Sequence, residues 1–334
     1  MRIESSVTSL TWIPSEAISG ILKLPFEIGM SHYDEPPPDV VVDPALMAEQ
    51  GRCRFANQLR AAIQVDDQGA VTGYEHLGRS YIAKTNISIG RRSMQFPTVP
   101  YPDLRPEPEV GDGWVRFVQT AGGRTSVPSP RPIRRAPFVR ILPPPAWTTL
   151  SLTIHADGRS TFEVVGASPF PRHWVYDHEG ELSAKSGTID FKSWIAESAK
   201  ALHTPWGDEE NPALVTAVET QLERTLSARI MGAGHKPKIR RIAVGDTLTE
   251  QGAWGAELYL LLDGVLSVEI DGAAVAEVGP GAILGERAII EGGKRTATLR
   301  AVTPCKVAVA SADQVDREAL VELARGRRRE DEPV

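Results

Sequence analysis

The apolar positions of the chain follow two regimes that change near residue 205. Before it, short runs alternate between apolar and polar residues. That period of two sends successive side chains to opposite faces of a strand. Trp114-Val-Arg-Phe-Val-Gln-Thr120 has this pattern, and so does Thr148-Thr-Leu-Ser-Leu-Thr-Ile-His155. Asp157-Gly158 is a hairpin turn, with 160–165 as the returning strand. Glu179-Gly180 is a second turn, before a strand over 182–189. Between the runs lie proline clusters, at Pro36-Pro37-Pro38, from Pro97 to Pro108, from Pro128 to Pro145, and at Pro169 and Pro171. Proline lacks the N–H that helices and central strands need, so these clusters are loops. Residues 1–205 are predicted as a mostly antiparallel β domain with long proline-rich loops. Its helical exceptions are 45–50 and 190–202.

The stretch Thr204-Pro-Trp-Gly-Asp-Glu-Glu-Asn-Pro212 is polar and rich in breakers, and 206–212 is read as a linker. Over 213–231 the period changes to that of a helix. Leu214, Val218, Leu222, Leu226 and Ile230 recur every fourth position, and Gly232 and Gly234 end the pattern. From 238 to 310 short strands return, now punctuated by glycine. They run over 238–244, 248–251, 257–262, 265–270 and 274–278, with turns at Gly245, Gly252, Asp263-Gly264, Asp271-Gly272 and Gly279-Pro-Gly281. About eight short strands with a glycine turn every ~8–12 residues describe a small jelly roll. A final helix is predicted over 312–324. The expected chain is mainly β with a few helices: an N-terminal antiparallel β domain (1–205), a linker, a jelly roll flanked by helices (213–325) and a charged tail (326–334).

Composition adds exclusions. With 334 residues, 41% apolar and 24% charged, the chain can form two ordinary domain cores and is not predominantly disordered. A formal charge of −6 argues against a large nucleic-acid footprint. Cys53 and Cys305 are the only cysteines, so neither a disulfide framework nor a four-thiolate zinc site is possible. No apolar run approaches the ~18 residues of a membrane span, and the first residues lack a secretory layout. A cytoplasmic protein without a membrane span is expected.

Three segments of the second regime carry chemistry. They are Val244-Gly-Asp-Thr-Leu-Thr-Glu-Gln-Gly252, Leu258-Tyr-Leu-Leu-Leu-Asp-Gly264 and Gly285-Glu-Arg-Ala-Ile-Ile-Glu-Gly-Gly-Lys-Arg-Thr-Ala297. Together they make 213–325 resemble the cyclic nucleotide-binding domain family, which includes the catabolite activator protein, the regulatory subunits of cyclic-AMP-dependent kinase and cyclic-nucleotide-gated channels. The third segment resembles the family's phosphate-binding cassette. The resemblance implies a ligand site of Gly285, Glu286, Arg287, Ala288, Arg295, Thr296 and Ala297, with cyclic AMP or cyclic GMP as ligand and no covalent cofactor or metal. Gly285 lets the backbone approach a ligand, and 286–291 form a short helix whose first N–H groups suit an anion. Arg295 offers a planar fork for the cyclic phosphate, and the Thr296 hydroxyl can add a hydrogen bond to it. Glu286 would repel a phosphate, and the family implies that its carboxylate accepts from the ribose 2′-OH. Thr296 is compatible with both bases. The lean is to cyclic AMP, the commoner signal among bacterial members. Two features depart from the family pattern. Arg287 stands where a small or apolar residue is usual, and the helix after the last strand is short for a base-capping lid.

Other signals read as structure. Gly279-Pro-Gly281 has the wrong glycine spacing for a dinucleotide loop and is a jelly-roll corner. The basic run Arg325-Gly-Arg-Arg-Arg329 meets Glu330-Asp-Glu332 at once and is a solvated tail. His173, Asp177 and His178 have a metal-like spacing, but their proline and aromatic neighbours indicate a packed surface loop. Ser168 is not in a nucleophile elbow. Trp114, Trp147, Trp174 and Trp194 are core or hairpin partners. No catalytic constellation stands out, and no DNA-binding domain follows the jelly roll. Two functions remain. One is a cyclic nucleotide sensor that acts on the N-terminal domain or on a partner, a protein or a second copy of the chain. The other is an assembly scaffold whose jelly roll binds no nucleotide.

Overall fold

The computed structural model describes residues 1–14, 17–18, 34–83, 85–89, 92–96, 99–124, 130–132, 139–141, 145–189, 194, 204–206, 216, 221–232, 237–311, 315 and 317–326. The predicted helix over 190–202 (except Trp194), most of the 206–212 linker, Leu214, Val218 and the tail from 327 lie outside these residues. The chain divides into two compact units, Met1–Val215 and Thr216–Val334.

The first unit is built on antiparallel sheets. In one, β15 (Leu182–Ser186), β14 (Arg172–Tyr176), β1 (Arg2–Trp12), β2 (Phe55–Val65) and β3 (Val71–His76) lie in that order, and β4 (Arg79–Ile82) also pairs with β2. In the other, β13 (Ser160–Ala167), β12 (Pro145–His155), β9 (Trp114–Arg124) and β7 (Val99–Pro100) are neighbours, with β8 (Glu109–Gly111) also on β9. Two small ribbons pair β5 (Thr85–Ile89) with β6 (Arg92–Phe96) and β10 (Pro130–Pro132) with β11 (Val139–Ile141). The alternating runs behave as their period requires. Val115, Phe117, Leu150, Leu152 and Ile154 turn inward, and meet Val7, Leu59, Ile63 and Val175 of the facing sheet. The helix α1 (Pro44–Glu49) starts where Asp43 accepts a hydrogen bond from the Leu46 N–H at 3.0 Å, with proline in its first turn.

One expectation is corrected. The segment from Arg172 to Tyr176 is no surface loop but the buried strand β14, and all five of its residues are buried. His173 is sealed between Thr11, whose Oγ1 lies 2.8 Å from Nδ1, and Ser168, whose Oγ and carbonyl lie 3.0 and 2.9 Å from Nε2. Both ring nitrogens are occupied by core neighbours, so the ring has no ligand position to offer. The metal-like spacing comes from a strand running from core to turn.

The second unit is a jelly roll of two four-stranded sheets. One sheet orders β16 (Lys238–Ile242), β23 (Cys305–Ser311), β18 (Glu257–Asp263) and β21 (Ile283–Leu284). The other orders β17 (Thr247–Thr249), β22 (Thr298–Ala301), β19 (Leu266–Ile270) and β20 (Ala273–Val278). Strand β18 does not alternate because both its faces are covered. Tyr259 and Leu261 point into the sandwich with Leu248, Leu266, Leu299 and Val307. Leu258, Leu260 and Leu262 face the helices α2 (Gln221–Gly232) and α4 (Arg317–Gly326), which contribute Leu226, Ile230, Leu320 and Leu323. The last helix, predicted over 312–324, is α4 from Arg317 to Gly326, and Ser311 ends β23, paired with Glu257.

Burial holds the His173 imidazole neutral and lowers its pKa from 6.5 to about 4. Between those values the unfolded chain binds the extra proton and the folded chain does not. Stability is therefore lost as pH falls from about 6.5 towards 4, by on the order of 3 kcal/mol. Denaturant unfolding at stepped pH should show this slope in the natural protein and a shallower one in His173→Asn. Equal slopes would mean that the ring does not titrate on unfolding.

Candidate functional site

The cassette residues converge through the corner after β21. Gly285 has φ of 92°, the left-handed region, and caps the short helix α3 (Glu286–Ile290) without a side-chain hydrogen bond. A Cβ at this position would lie 2.4 Å from Arg295 Nη1 and 2.8 Å from the Glu257 carbonyl oxygen. Gly285 is therefore needed twice, for its backbone angle and for the space that Arg295 occupies.

Arg295 is the centre of the arrangement. Its side chain is buried, at 6% exposure, yet no carboxylate pairs with it among the described residues. Nη2 donates to the Glu257 carbonyl at 3.0 Å and Nη1 donates more weakly to the Gly285 carbonyl at 3.4 Å. The guanidinium lies over the Tyr259 ring, 5.2 Å from its centre. Tyr259 in turn donates its hydroxyl to Glu257 Oε2 at 2.7 Å, and burial first, then this bond, raises its pKa. The backbone of Arg295 is fixed as well. Its N–H donates to the Ala253 carbonyl and its own carbonyl accepts from the Gly252 N–H, both at 2.8 Å.

The remaining predicted residues take separate places. Glu286, in the first turn of α3, is buried at 3% exposure, but it is not the ion-pair partner of Arg295. Arg287 reaches Glu291 at 3.9 Å, one helical turn along, rather than the Arg295 group. Ala288 is buried, and its carbonyl accepts from the Gly293 N–H at 2.5 Å. Thr296 and Ala297 are half-buried on the way into β22, and the Thr296 hydroxyl makes no hydrogen bond among the described residues. On its other side α3 presents Ile289 and Ile290 to the cluster that holds α2 and α4.

Sequence reasoning missed the floor of the site, which is the turn 252–257 and Tyr259. Gly255 leaves room for Arg295, since a Cβ there would lie 2.7 Å from Nη2. Trp254, 76% exposed, lies against Gly293. The Gly-Ala-Trp-Gly spelling marks a turn, but its meeting with residue 295 is a tertiary event.

Residues 239–319 match the family described as the cyclic nucleotide-binding domain. The human, mouse and rat potassium/sodium hyperpolarization-activated cyclic nucleotide-gated channel 3 are each 30% identical over 111 residues, 33% of this chain. The chain spans 12% of the length of these curated relatives. Among solved structures, a cyclic nucleotide-binding domain from Methylobacillus flagellatus is similar, with 32% identity, a TM-score of 0.21, and coverage of 26% of this chain and 49% of that one. The N-terminal domain of a Streptomyces coelicolor transcriptional regulator is 25% identical, with a TM-score of 0.25 and coverage of 33% and 81%.

The geometry at Gly285 generates a test. Gly285→Ala combines a left-handed alanine with a clash, whereas Gly245, at φ of 81°, has nothing within 4 Å of a Cβ. Gly245→Ala should cost only the backbone term, about 1–2 kcal/mol. Gly285→Ala should lower the unfolding midpoint clearly further. Matching losses in thermal melts would show that the space beside Arg295 is not filled as described. The fold and the match over residues 239–319 together identify a cyclic nucleotide-binding domain in the C-terminal unit of this chain.

Proposed function

We propose that this domain is a working sensor that binds cyclic AMP or cyclic GMP and transmits occupancy to the N-terminal unit or to a protein partner. One observation carries the reading. Arg295 is a buried cation held by carbonyl oxygens and an aromatic face, with no carboxylate to balance it among the described residues. A desolvated charge without a counter-ion is costly, and a cyclic phosphate would be that counter-ion, bound through charge-assisted hydrogen bonds. Glu286, close in sequence and buried, then takes the ribose 2′-OH. Thr296 adds its hydroxyl to the phosphate. Gly285 makes room for Arg295 itself, and Ala288 and Ala297 add only small side chains to the cassette. Arg287, which also reaches Glu291, would add a second basic group near the cassette. Thr296 suits either base, and cyclic AMP is the first choice.

The output would pass through α3. Its Ile289 and Ile290 pack in the same cluster as Leu226 and Ile230 of α2 and Leu320 and Leu323 of α4. Glu223 of α2 also accepts from the Ile283 N–H at 3.2 Å, two residues before Gly285. A ligand that prefers one position of α3 would bias the packing of both helices by its differential affinity for the two arrangements.

Calorimetric titration of the full chain with cyclic AMP and cyclic GMP tests the site. Arg295→Ala should weaken the better ligand by about 30-fold or more, the loss of a buried charge contact worth roughly 2–5 kcal/mol. Glu286→Gln should weaken the cyclic nucleotide more than its 2′-deoxy analogue. A change of less than about threefold in Arg295→Ala, or no binding by the natural chain, would favour the scaffold reading.

Hydrogen exchange with and without saturating ligand tests the output. Altered protection is expected at 285–296, in the 221–232 helix, and on a patch of the N-terminal unit. A response confined to 285–296 would mean that occupancy is not transmitted within the chain.

A further inference from the structure

A second concavity lies in the N-terminal unit, on the outer face of the β9–β12–β13 sheet. It is an open dish of about 250 Å³, roughly eight waters' worth of liquid volume. All of its lining except Phe162, which packs against the core, follows from the sheet register. Trp114 stands opposite His155, Arg116 opposite Thr153, which is opposite Thr161, and Ser151 opposite Glu163. These residues alternate with Val115, Phe117, Leu152 and Ile154, so the same pleat that points those four into the core points this set outward.

We propose that this dish binds a single pyranose ring, with Trp114 as the platform on which the ring stacks. Three features point to that class of ligand. The first is the indole. Gly111 pairs with Trp114 across the β8–β9 ladder, and a Cβ on it would lie 2.1 Å from Trp114 Cε2. The indole is thus laid against bare backbone on one side while it lines the cavity, a fixed apolar surface for the C–H face of a sugar. The second is the charge. Arg116 reaches Glu163 at 3.6 Å and Glu109 at 3.9 Å, so an anion would have to share it with two carboxylates and a cation would face the guanidinium. A neutral polyol suits both, because its hydroxyls accept from Arg116 and donate to Glu163. The third is the floor. Ser151, only 2% exposed, accepts from Arg116 Nε at 2.8 Å, which orients the guanidinium beforehand. Thr153 and Thr161 add hydroxyls that can donate or accept. A shaped cavity with an aromatic wall and a few placed polar groups is the general form of a small-ligand site.

Ligand-observed saturation-transfer NMR on the full chain tests this with D-glucose, D-galactose, D-mannose, N-acetyl-D-glucosamine and their methyl pyranosides. At least one should bind in the millimolar range. Trp114→Ala should weaken it by about tenfold, the loss of a stacking surface. Gly111→Ala should weaken it similarly by displacing the indole, with every polar group still in place. Glu163 is 74% exposed at its side chain, so Glu163→Gln leaves the fold intact, and it should weaken binding by a few-fold. Equal binding of the methyl glycoside would mark the end of a glycan as the source of the ring, and much weaker binding would mark a free sugar. Silence from all eight compounds would overturn the proposal. So would affinity unchanged in both Trp114→Ala and Glu163→Gln, or displacement of the sugar by inorganic phosphate.

Discussion

The C-terminal unit is organised around one buried guanidinium. Arg295 is held at its backbone by Gly252 and Ala253, and at its side chain by the carbonyls of Glu257 and Gly285 and the ring of Tyr259. These contacts come from three different local structures: the turn before β18, β18 itself and the corner before α3. Moving the arginine would strain all of them, and none could form alone. A charge in such a place is unfavourable unless its donors are satisfied. Carbonyl oxygens satisfy donors without cancelling the charge of the guanidinium.

The same economy of polar groups appears in the N-terminal unit, with a different outcome. Asn57 on β2 donates to the Thr148 carbonyl of β12 at 2.9 Å and accepts from Gln119 Nε2 of β9 at 2.7 Å. Asn57 and Gln119 are almost fully buried, and their amides tie together the two sheets whose apolar faces make the core. The His173 ring, between Thr11 and Ser168, does the same for β14 and β1. These groups are neutral, and apart from the buried Gln119 Oε1, which has no hydrogen-bond partner, they are paired with one another or with backbone, and so specify packing.

Legibility in the sequence tracked how many faces of an element are covered. Strands β9 and β12 keep a period of two over part of their length, and the sequence places strands over 114–120 and 148–155 of the observed Trp114–Arg124 and Pro145–His155. Strands β1 and β2 were not picked out. Much of each is buried on both faces, as in Ala61, Ala62 and Ile63 in succession, and this erases the alternation. Strand β14 reads as a loop because Pro169 and Pro171 come just before it and titratable residues lie in and after it, while its burial depends on neighbours far away in sequence. The jelly roll was easier, since its glycine turns are local signals: Gly245, Gly252, Gly264 and Gly272 all take positive φ.

The sequence by itself determined the order of turns and strands in the second unit, the cassette spelling from Gly285 to Ala297, and the mainly β character of the whole. These rest on backbone sterics and on short-range spacing, which are written in adjacent residues. Only the tertiary structure decided that Arg295 meets carbonyls rather than Glu286, that Tyr259 lies beneath it, that Ile289 and Ile290 join the helices, and that Trp114 and Arg116 share a dish with Ser151 and Glu163. Those contacts span from about ten to just over sixty residues of chain. Nothing in the local pattern specifies them, because they arise when separately predictable elements compete for the same core and the same few hydrogen-bond partners.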